Sequence, residues 1–184
     1  GIAEEHAVTF CAGMAANGWK PVFAVYSTFL QRGFDQILHD VALGNYPVIF
    51  GVDRSGLVGA DGETHQGIFD IPYLSMIPNL TVMAPINGKE LREMLLYALK
   101  YANGPTAIKY SRGEAQSLFE ESCEEIQYAK GQILKSGKEA VILSVGNMLA
   151  EAVGAIKLLE EEGYEIGLVN PRYIKPLDTA LLDE

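Results

Sequence analysis

Short apolar runs alternate with segments of helical spacing over the first two thirds of the chain. The runs are rich in Val, Ile and Phe, and they cover residues 21–27, 47–53, 80–85 and 106–110. Continuously apolar strands are typical of parallel sheets whose two faces are both covered by helices. The sequence therefore predicts an α/β fold: a doubly wound, mostly parallel sheet with helices on both faces.

The segments between these runs carry helix start and stop signals. Residues 5–17 form a predicted helix that ends at Gly18, and residues 28–43 place apolar side chains at helical spacing. Asn87 stands three residues before Glu90, which predicts a capping box at the start of another helix.

The rhythm changes after the fourth run, which predicts two domains. Residues 1–113 form the first domain, residues 114–128 an acidic linker, and residues 129–184 part of a second α/β domain. In this second unit, "GQILKSGKEAVILSVG" predicts a hairpin and "YEIGLVNPRYI" predicts one strand. Because the sequence starts without Met and stops soon after that strand, we expect a piece of a longer polypeptide.

Composition restricts the partners. The net charge of −10 argues against nucleic acid and against an anionic membrane surface, so an anionic ligand would need a local cluster of basic side chains. No segment has the length of a membrane span. Cys11 and Cys123 are isolated and have no metal-ligand spacing, which predicts a reducing, cytoplasmic location and no metal site.

Polar residues at the strand ends are the candidates for function, because ligands of open parallel sheets bind at the carboxyl edge. Tyr26 lies near the end of the first run, Arg54 follows the second and Arg112 comes shortly after the fourth. Arg32 lies nearby in sequence, and Glu4 occupies an equivalent place if "GIA" ends a strand. Three arginines on one rim of an acidic protein would suit a phosphate group.

The loop "DRSGLVGADGETHQG", residues 53–67, adds Asp61 and His65 to this rim. A long glycine-rich loop inside a compact domain is often functional. Ordinary explanations remain open: Glu4 could be a first-turn acid, His65 could hold its loop together, and each arginine could form a surface ion pair. One alternative is a non-catalytic, flavodoxin-like binding module, which predicts that the arginines disperse and that Glu4 points away from the rim.

Several motifs together carry a resemblance to a known family. "YSTFLQR", "HDVAL", "GADGETHQG" and "KYSRG" resemble the 1-deoxy-D-xylulose-5-phosphate synthases, which belong to the thiamin-diphosphate-dependent transketolase superfamily. The resemblance runs without a gap from Gly1 to about Gly113, and "VNPRYIKPLD" resembles the start of that family's C-terminal domain. It implies that residues 1–113 are the pyrimidine-binding domain, with the diphosphate and Mg²⁺ held by a separate N-terminal domain.

The same resemblance implies a role for each candidate residue. Glu4 is the catalytic carboxyl group that bonds to the pyrimidine ring nitrogen of thiamin diphosphate, and Phe29 stacks on that ring. The remaining six residues bind substrate. Asp61 and His65 are also catalytic, and Arg54 and Arg112 bind the phosphate group of the substrate. Tyr26 and Arg32 line the channel through which the substrates enter.

The implied reaction condenses pyruvate, with decarboxylation, and glyceraldehyde 3-phosphate to 1-deoxy-D-xylulose 5-phosphate. This product feeds isoprenoid, thiamin and pyridoxal synthesis, and the full-length enzyme is expected to be a homodimer. A second alternative is the C-terminal subunit of a split transketolase-like enzyme, natively separate from its diphosphate-binding partner.

Overall fold

The computed structural model describes residues 1–183 of the chain. Four parallel strands in the spatial order β1-β2-β4-β3 form the central sheet. They are β1 (Val22–Tyr26), β2 (Ile49–Asp53), β3 (Thr81–Met83) and β4 (Thr106–Lys109). All four lie within or overlap the apolar runs from which they were predicted.

Helices cover both faces of this sheet, as predicted. Phe50 and Val52 belong to one core with Leu30 and Leu74, whereas Ile49 belongs to a second core with Met94. Neighbouring strand residues therefore enter different cores, which is the pattern of a sheet buried on both sides. The helices are α1 (Glu4–Ala16), α2 (Ser27–Leu30), α3 (Phe34–Gln36), α4 (Asp70–Met76) and α5 (Gly88–Tyr101).

Local signals set two helix ends as expected. Helix α1 ends just before Gly18, whose φ of +86° suits glycine. At the start of α5, the Asn87 side chain accepts a hydrogen bond of 2.8 Å from the Glu90 backbone N–H. The Glu90 carboxylate accepts from the backbone N–H of Ile86, also at 2.8 Å, so the capping box forms with its reciprocal bond one residue earlier.

The single helix predicted for residues 28–43 is wrong in detail. The segment is helical but interrupted: a 3₁₀ turn at Gln31–Gly33 separates α2 from α3, and a π-helical turn follows at Ile37–Ala42. A Cβ at Gly33 would lie 3.0 Å from the Val8 side chain, so this turn packs closely against α1. Packing against another element, rather than the apolar periodicity, determines this irregular path.

The elements of the second unit are β5 (Gln132–Lys135), β6 (Ala140–Leu143), α6 (Leu149–Glu161), β7 (Ile166–Asn170), β8 (Tyr173–Lys175) and α7 (Thr179–Leu182). Three of these strands form a sheet in the order β5-β7-β6, so the predicted hairpin is wrong. Strand β7 lies between β5 and β6, antiparallel to β5 and parallel to β6. The one strand predicted from "YEIGLVNPRYI" is two, and the second, β8, joins the edge of the first sheet antiparallel to β3.

A buried ion pair connects the two units. Arg172 Nε lies 2.8 Å from Glu90 Oε1, and both side chains are about 1% exposed. Asn170 donates to the same carboxylate at 3.0 Å, and Arg172 also donates to Gln132 Oε1 at 2.9 Å. Both ions therefore have hydrogen-bond partners beyond each other, which buried charges require. Residues 110–131, which include the predicted linker, contain no helix or strand.

Candidate active site

The predicted site residues meet at the carboxyl edge of the central sheet. Tyr26 is the last residue of β1, Asp53 ends β2 and precedes Arg54, and Arg112 follows β4. Because these strands are parallel and adjacent, their ends present side chains to one rim.

Glu4 lies in the first turn of α1 and faces Arg32. Its Oε1 atom is 3.3 Å from Arg32 Nη1, and the Glu4 side chain is only 12% exposed. The other carboxylate oxygen, Oε2, is buried and has no hydrogen-bond partner among residues 1–183. A buried acceptor without a partner is costly in a folded protein, so this oxygen indicates a place for a ligand that donates a hydrogen bond.

Three aromatic rings form the centre of the site. Tyr26 and Phe29 are three residues apart where β1 runs directly into α2, and their rings stack at 5.4 Å with an interplanar angle of 10°. His65 packs edge-on against Phe29 at 5.2 Å, and the Arg32 guanidinium lies 5.0 Å from the Phe29 ring centre. His65 also contacts the hydroxyl of Thr64 at 2.8 Å through Nδ1.

The glycine-rich loop is closed at its base. Gly56 and Gly67 exchange two backbone hydrogen bonds, of 2.8 and 2.9 Å. A Cβ at Gly67 would lie 2.1 Å from the Arg54 carbonyl oxygen, so only glycine allows this approach. Inside the loop, the Gln66 side chain bonds both the N–H and the carbonyl oxygen of Val58, at 2.7 and 2.8 Å. The loop is therefore a defined platform for Asp61 and His65.

Asp61 bridges the two predicted phosphate-binding arginines. Its Oδ2 atom is 2.8 Å from Arg54 Nε and its Oδ1 atom is 3.1 Å from Arg112 Nε. The hydrogen bond from Arg54, with further attraction from Arg112, holds the pKa of Asp61 below its usual value. The Arg54 guanidinium also lies 3.7 Å from the Tyr26 ring centre. A carboxylate between two guanidinium groups marks a position that favours anions.

The eight predicted residues thus form one connected set, from Glu4 through the aromatic rings to Arg112. The arginine dispersal expected of a flavodoxin-like binding module does not occur, since Arg54 and Arg112 meet on Asp61 and Arg32 contacts Glu4.

Sequence reasoning missed a buried acid beneath the rim. Asp70 is 2% exposed and accepts hydrogen bonds from Ser27 Oγ at 3.0 Å and Ser55 Oγ at 2.5 Å, with Lys109 Nζ 3.4 Å away. Ser27 adjoins Tyr26 and Ser55 adjoins Arg54, so this cluster fixes the backbone that carries the site. The available signal was an acid inside the apolar stretch "IFDIPYL".

Within residues 1–183 no group of three or more His, Cys, Asp or Glu side chains is placed to hold a metal ion. No helix in that described range is long and apolar enough to cross a membrane.

Comparison with known proteins places this geometry in a family. Residues 1–117 match the family described as transketolase, pyrimidine binding domain, and residues 129–184 match the transketolase C-terminal domain. A split-gene transketolase, solved as an inactive β4 tetramer, superimposes with a TM-score of 0.89 at 28% identity, over 98% of this chain and 58% of that chain. A transketolase from Pichia stipitis, 22% identical with a TM-score of 0.78 over 96% of this chain and 28% of its own, shares the fold.

The chain belongs to the transketolase family. The curated relatives that share about half of its residues are 1-deoxy-D-xylulose-5-phosphate synthases. The enzyme of Clostridium botulinum is 52% identical over 183 residues and that of Chlorobium phaeovibrioides 53% identical over 184. These alignments cover 100% of this chain but 29% of each relative's length.

Proposed function

We propose that this chain provides the pyrimidine-binding part of a 1-deoxy-D-xylulose-5-phosphate synthase. The enzyme would join pyruvate to glyceraldehyde 3-phosphate, with release of CO₂, and would feed isoprenoid, thiamin and pyridoxal synthesis. Two lines of support are the identity of about half the chain with such enzymes and the connected set of residues at the sheet edge.

The residues present fit the pyrimidine half of thiamin diphosphate. The observation that carries this assignment is the buried, unpartnered Oε2 of Glu4, which can share a proton with a ring nitrogen. The Phe29 ring belongs to the same contact network through Arg32, and we assign to it the stacking contact with the pyrimidine ring. When bound, thiamin diphosphate would supply the carbon nucleophile for pyruvate and stabilise the charge that decarboxylation leaves.

The residues of this chain would then exchange the proton and bind the substrates. Glu4 holds and exchanges a proton at Oε2, while the ion pair of its Oε1 with Arg32 fixes the orientation of the carboxylate. Arg54 and Arg112 bind the phosphate of the aldehyde substrate through charge-assisted hydrogen bonds. His65 and Asp61 bond to the reacting carbonyl and hydroxyl groups, and Tyr26 and Arg32 line the path of the substrates.

Three further features belong to this proposal. The diphosphate and Mg²⁺ are held by oxygen ligands outside this chain. The whole enzyme is a homodimer, which the exposed apolar side chains of Phe10 on α1 and of Trp19 just after it support. It acts in the cytoplasm, in agreement with two free cysteines.

A chimeric enzyme tests the proposal. In the Clostridium botulinum relative, this chain replaces the corresponding segment, and product formation from pyruvate and glyceraldehyde 3-phosphate is measured. We expect 1-deoxy-D-xylulose 5-phosphate at a rate within about ten-fold of the parent enzyme. A folded chimera that binds thiamin diphosphate yet forms no product would contradict the proposal.

A second candidate is a subunit of a split transketolase, favoured by the structural likeness to the split-gene protein. It predicts that the same chimera transfers a two-carbon unit from a ketose phosphate and ignores pyruvate. Xylulose 5-phosphate as the donor therefore distinguishes the two candidates.

A further inference from the structure

A cavity lies at the end of the central sheet opposite to the candidate active site. Its volume is about 470 Å³, within the range of small-molecule sites, and it is lined by Thr81 and Thr106 at the amino ends of β3 and β4. Nothing in the proposed reaction uses this end of the sheet.

Three tyrosines form the aromatic part of the wall. Tyr97 and Tyr101 on α5 pack at 5.3 Å with a tilt of 46°, and Tyr128 also lines the cavity. Burial raises the pKa of Tyr97, whereas the residues Tyr101 and Tyr128 are each 59% exposed. Two large exposed aromatic residues in the wall of a cavity provide faces on which a planar ligand can stack.

Three asparagines provide the polar part. Asn45 Nδ2 donates to the carbonyl oxygen of Asn103 at 3.2 Å, and Asn79 Nδ2 donates to that of Ala42 at 2.9 Å. These bonds fix both amides, and no hydrogen bond among residues 1–183 uses the Oδ1 atom of Asn45 or Asn79. A Cβ at Gly104 would lie 2.3 Å from Asn45 Oδ1, so glycine is needed for this amide to take its place.

No charged side chain from residues 1–183 lines the cavity, in contrast to the arginine-rich active site. A phosphate or carboxylate would lose its hydration there without gaining a counter-ion. We propose that this cavity binds a neutral, planar heteroaromatic ring that carries N–H groups, of the size of a nucleoside. The tyrosine rings stack on the ligand, and the two fixed amide oxygens accept from its N–H groups.

The test uses the 184-residue chain, labelled with ¹⁵N, and four probes: adenosine, uridine, AMP and glucose. We expect adenosine or uridine at millimolar concentration to shift the backbone amides of Thr81, Ala102 and Thr106. AMP should bind more weakly than adenosine, and glucose should produce no shift. Shifts confined to Tyr26–Arg32 would place the probe in the active site instead and overturn the proposal.

Tyr101→Ala provides the variant, because its exposed ring can be removed without opening a core. Loss of one stacking face should weaken adenosine binding by about five-fold. Tyr164→Ala, an exposed tyrosine elsewhere (47%), is the matched control and should leave binding unchanged. The proposal is overturned by equal binding to both variants, by a preference for glucose, or by no shift with any probe.

Discussion

Glu4 and Arg32 form an ion pair of 3.3 Å that uses only one of the two carboxylate oxygens of Glu4. The other oxygen is buried and has no partner in the described chain. An ordinary first-turn acid would point both oxygens at solvent or at backbone N–H groups. The pair therefore holds Glu4 in an orientation in which Oε2 is left for a donor from outside residues 1–183.

Substitution of Arg54 or Arg112 by Ala in the chimeric enzyme should raise KM for glyceraldehyde 3-phosphate by roughly ten-fold, because each removes a charge-assisted contact to phosphate. KM for pyruvate should change little. Arg92→Ala, at a 71% exposed side chain paired with Glu93, is the matched control. Equal losses for both substrates would assign the arginines a structural role.

Asp61→Asn should increase the affinity of the isolated chain for inorganic phosphate. The carboxylate now neutralises Arg54 and Arg112, and removing one charge at about 5 Å in water corresponds to about a four-fold change in affinity. ³¹P or ¹⁵N NMR titration at low salt measures it. An unchanged or weaker affinity would mean that Asp61 orders the arginines more than it competes with the anion.

Tyr173→Phe should stabilise the chain by about 1 kcal/mol at neutral pH, because the buried Tyr173 hydroxyl has no hydrogen-bond partner among the described residues. Burial also raises the pKa of Tyr173 above its usual value near 10. The neutral form of Tyr173 is thus favoured in the folded state. Ionisation of Tyr173 therefore leaves the free energy of unfolding unchanged below pH 10 and lowers it progressively at higher pH. Urea unfolding from pH 7 to 11 should show a shallower alkaline decline for the variant, whereas exposed Tyr164→Phe should match the wild type.

Glu90→Gln or Arg172→Ala should destabilise the chain by about 3–5 kcal/mol, since each leaves an uncompensated charge between the two units. The half-exposed pair of Lys135 and Glu160 supplies the control, and Lys135→Ala should cost less than about 1 kcal/mol. Similar losses at the two pairs would show that the buried network does not hold the units together.

Much of the fold was predictable because its signals are local. Each apolar run became a parallel strand, Gly18 ended α1, and Asn87 capped α5. The site was predictable as a group because strand order places Tyr26, Arg54 and Arg112 at one edge.

The rest depends on contacts between distant residues. The insertion of β7 between β5 and β6 is a long-range pairing that adjacent sequence does not report. Likewise, the interruption at Gly33 follows from its contact with Val8, and the bridging of two arginines by Asp61 follows from the closure of its loop. The spacing of apolar residues along the sequence predicts none of these contacts.

The most direct test of the account compares Glu4→Gln with Glu5→Gln in the chimeric enzyme. Glutamine preserves the size of Glu4 but cannot exchange the proton at Oε2, so the rate of 1-deoxy-D-xylulose 5-phosphate formation should fall about 100-fold or more. Glu5 is exposed in the same helical turn, and its variant should retain the parental rate. If the folded Glu4→Gln enzyme were as active as the Glu5→Gln enzyme, Glu4 would not have the assigned role and the central claim would be wrong.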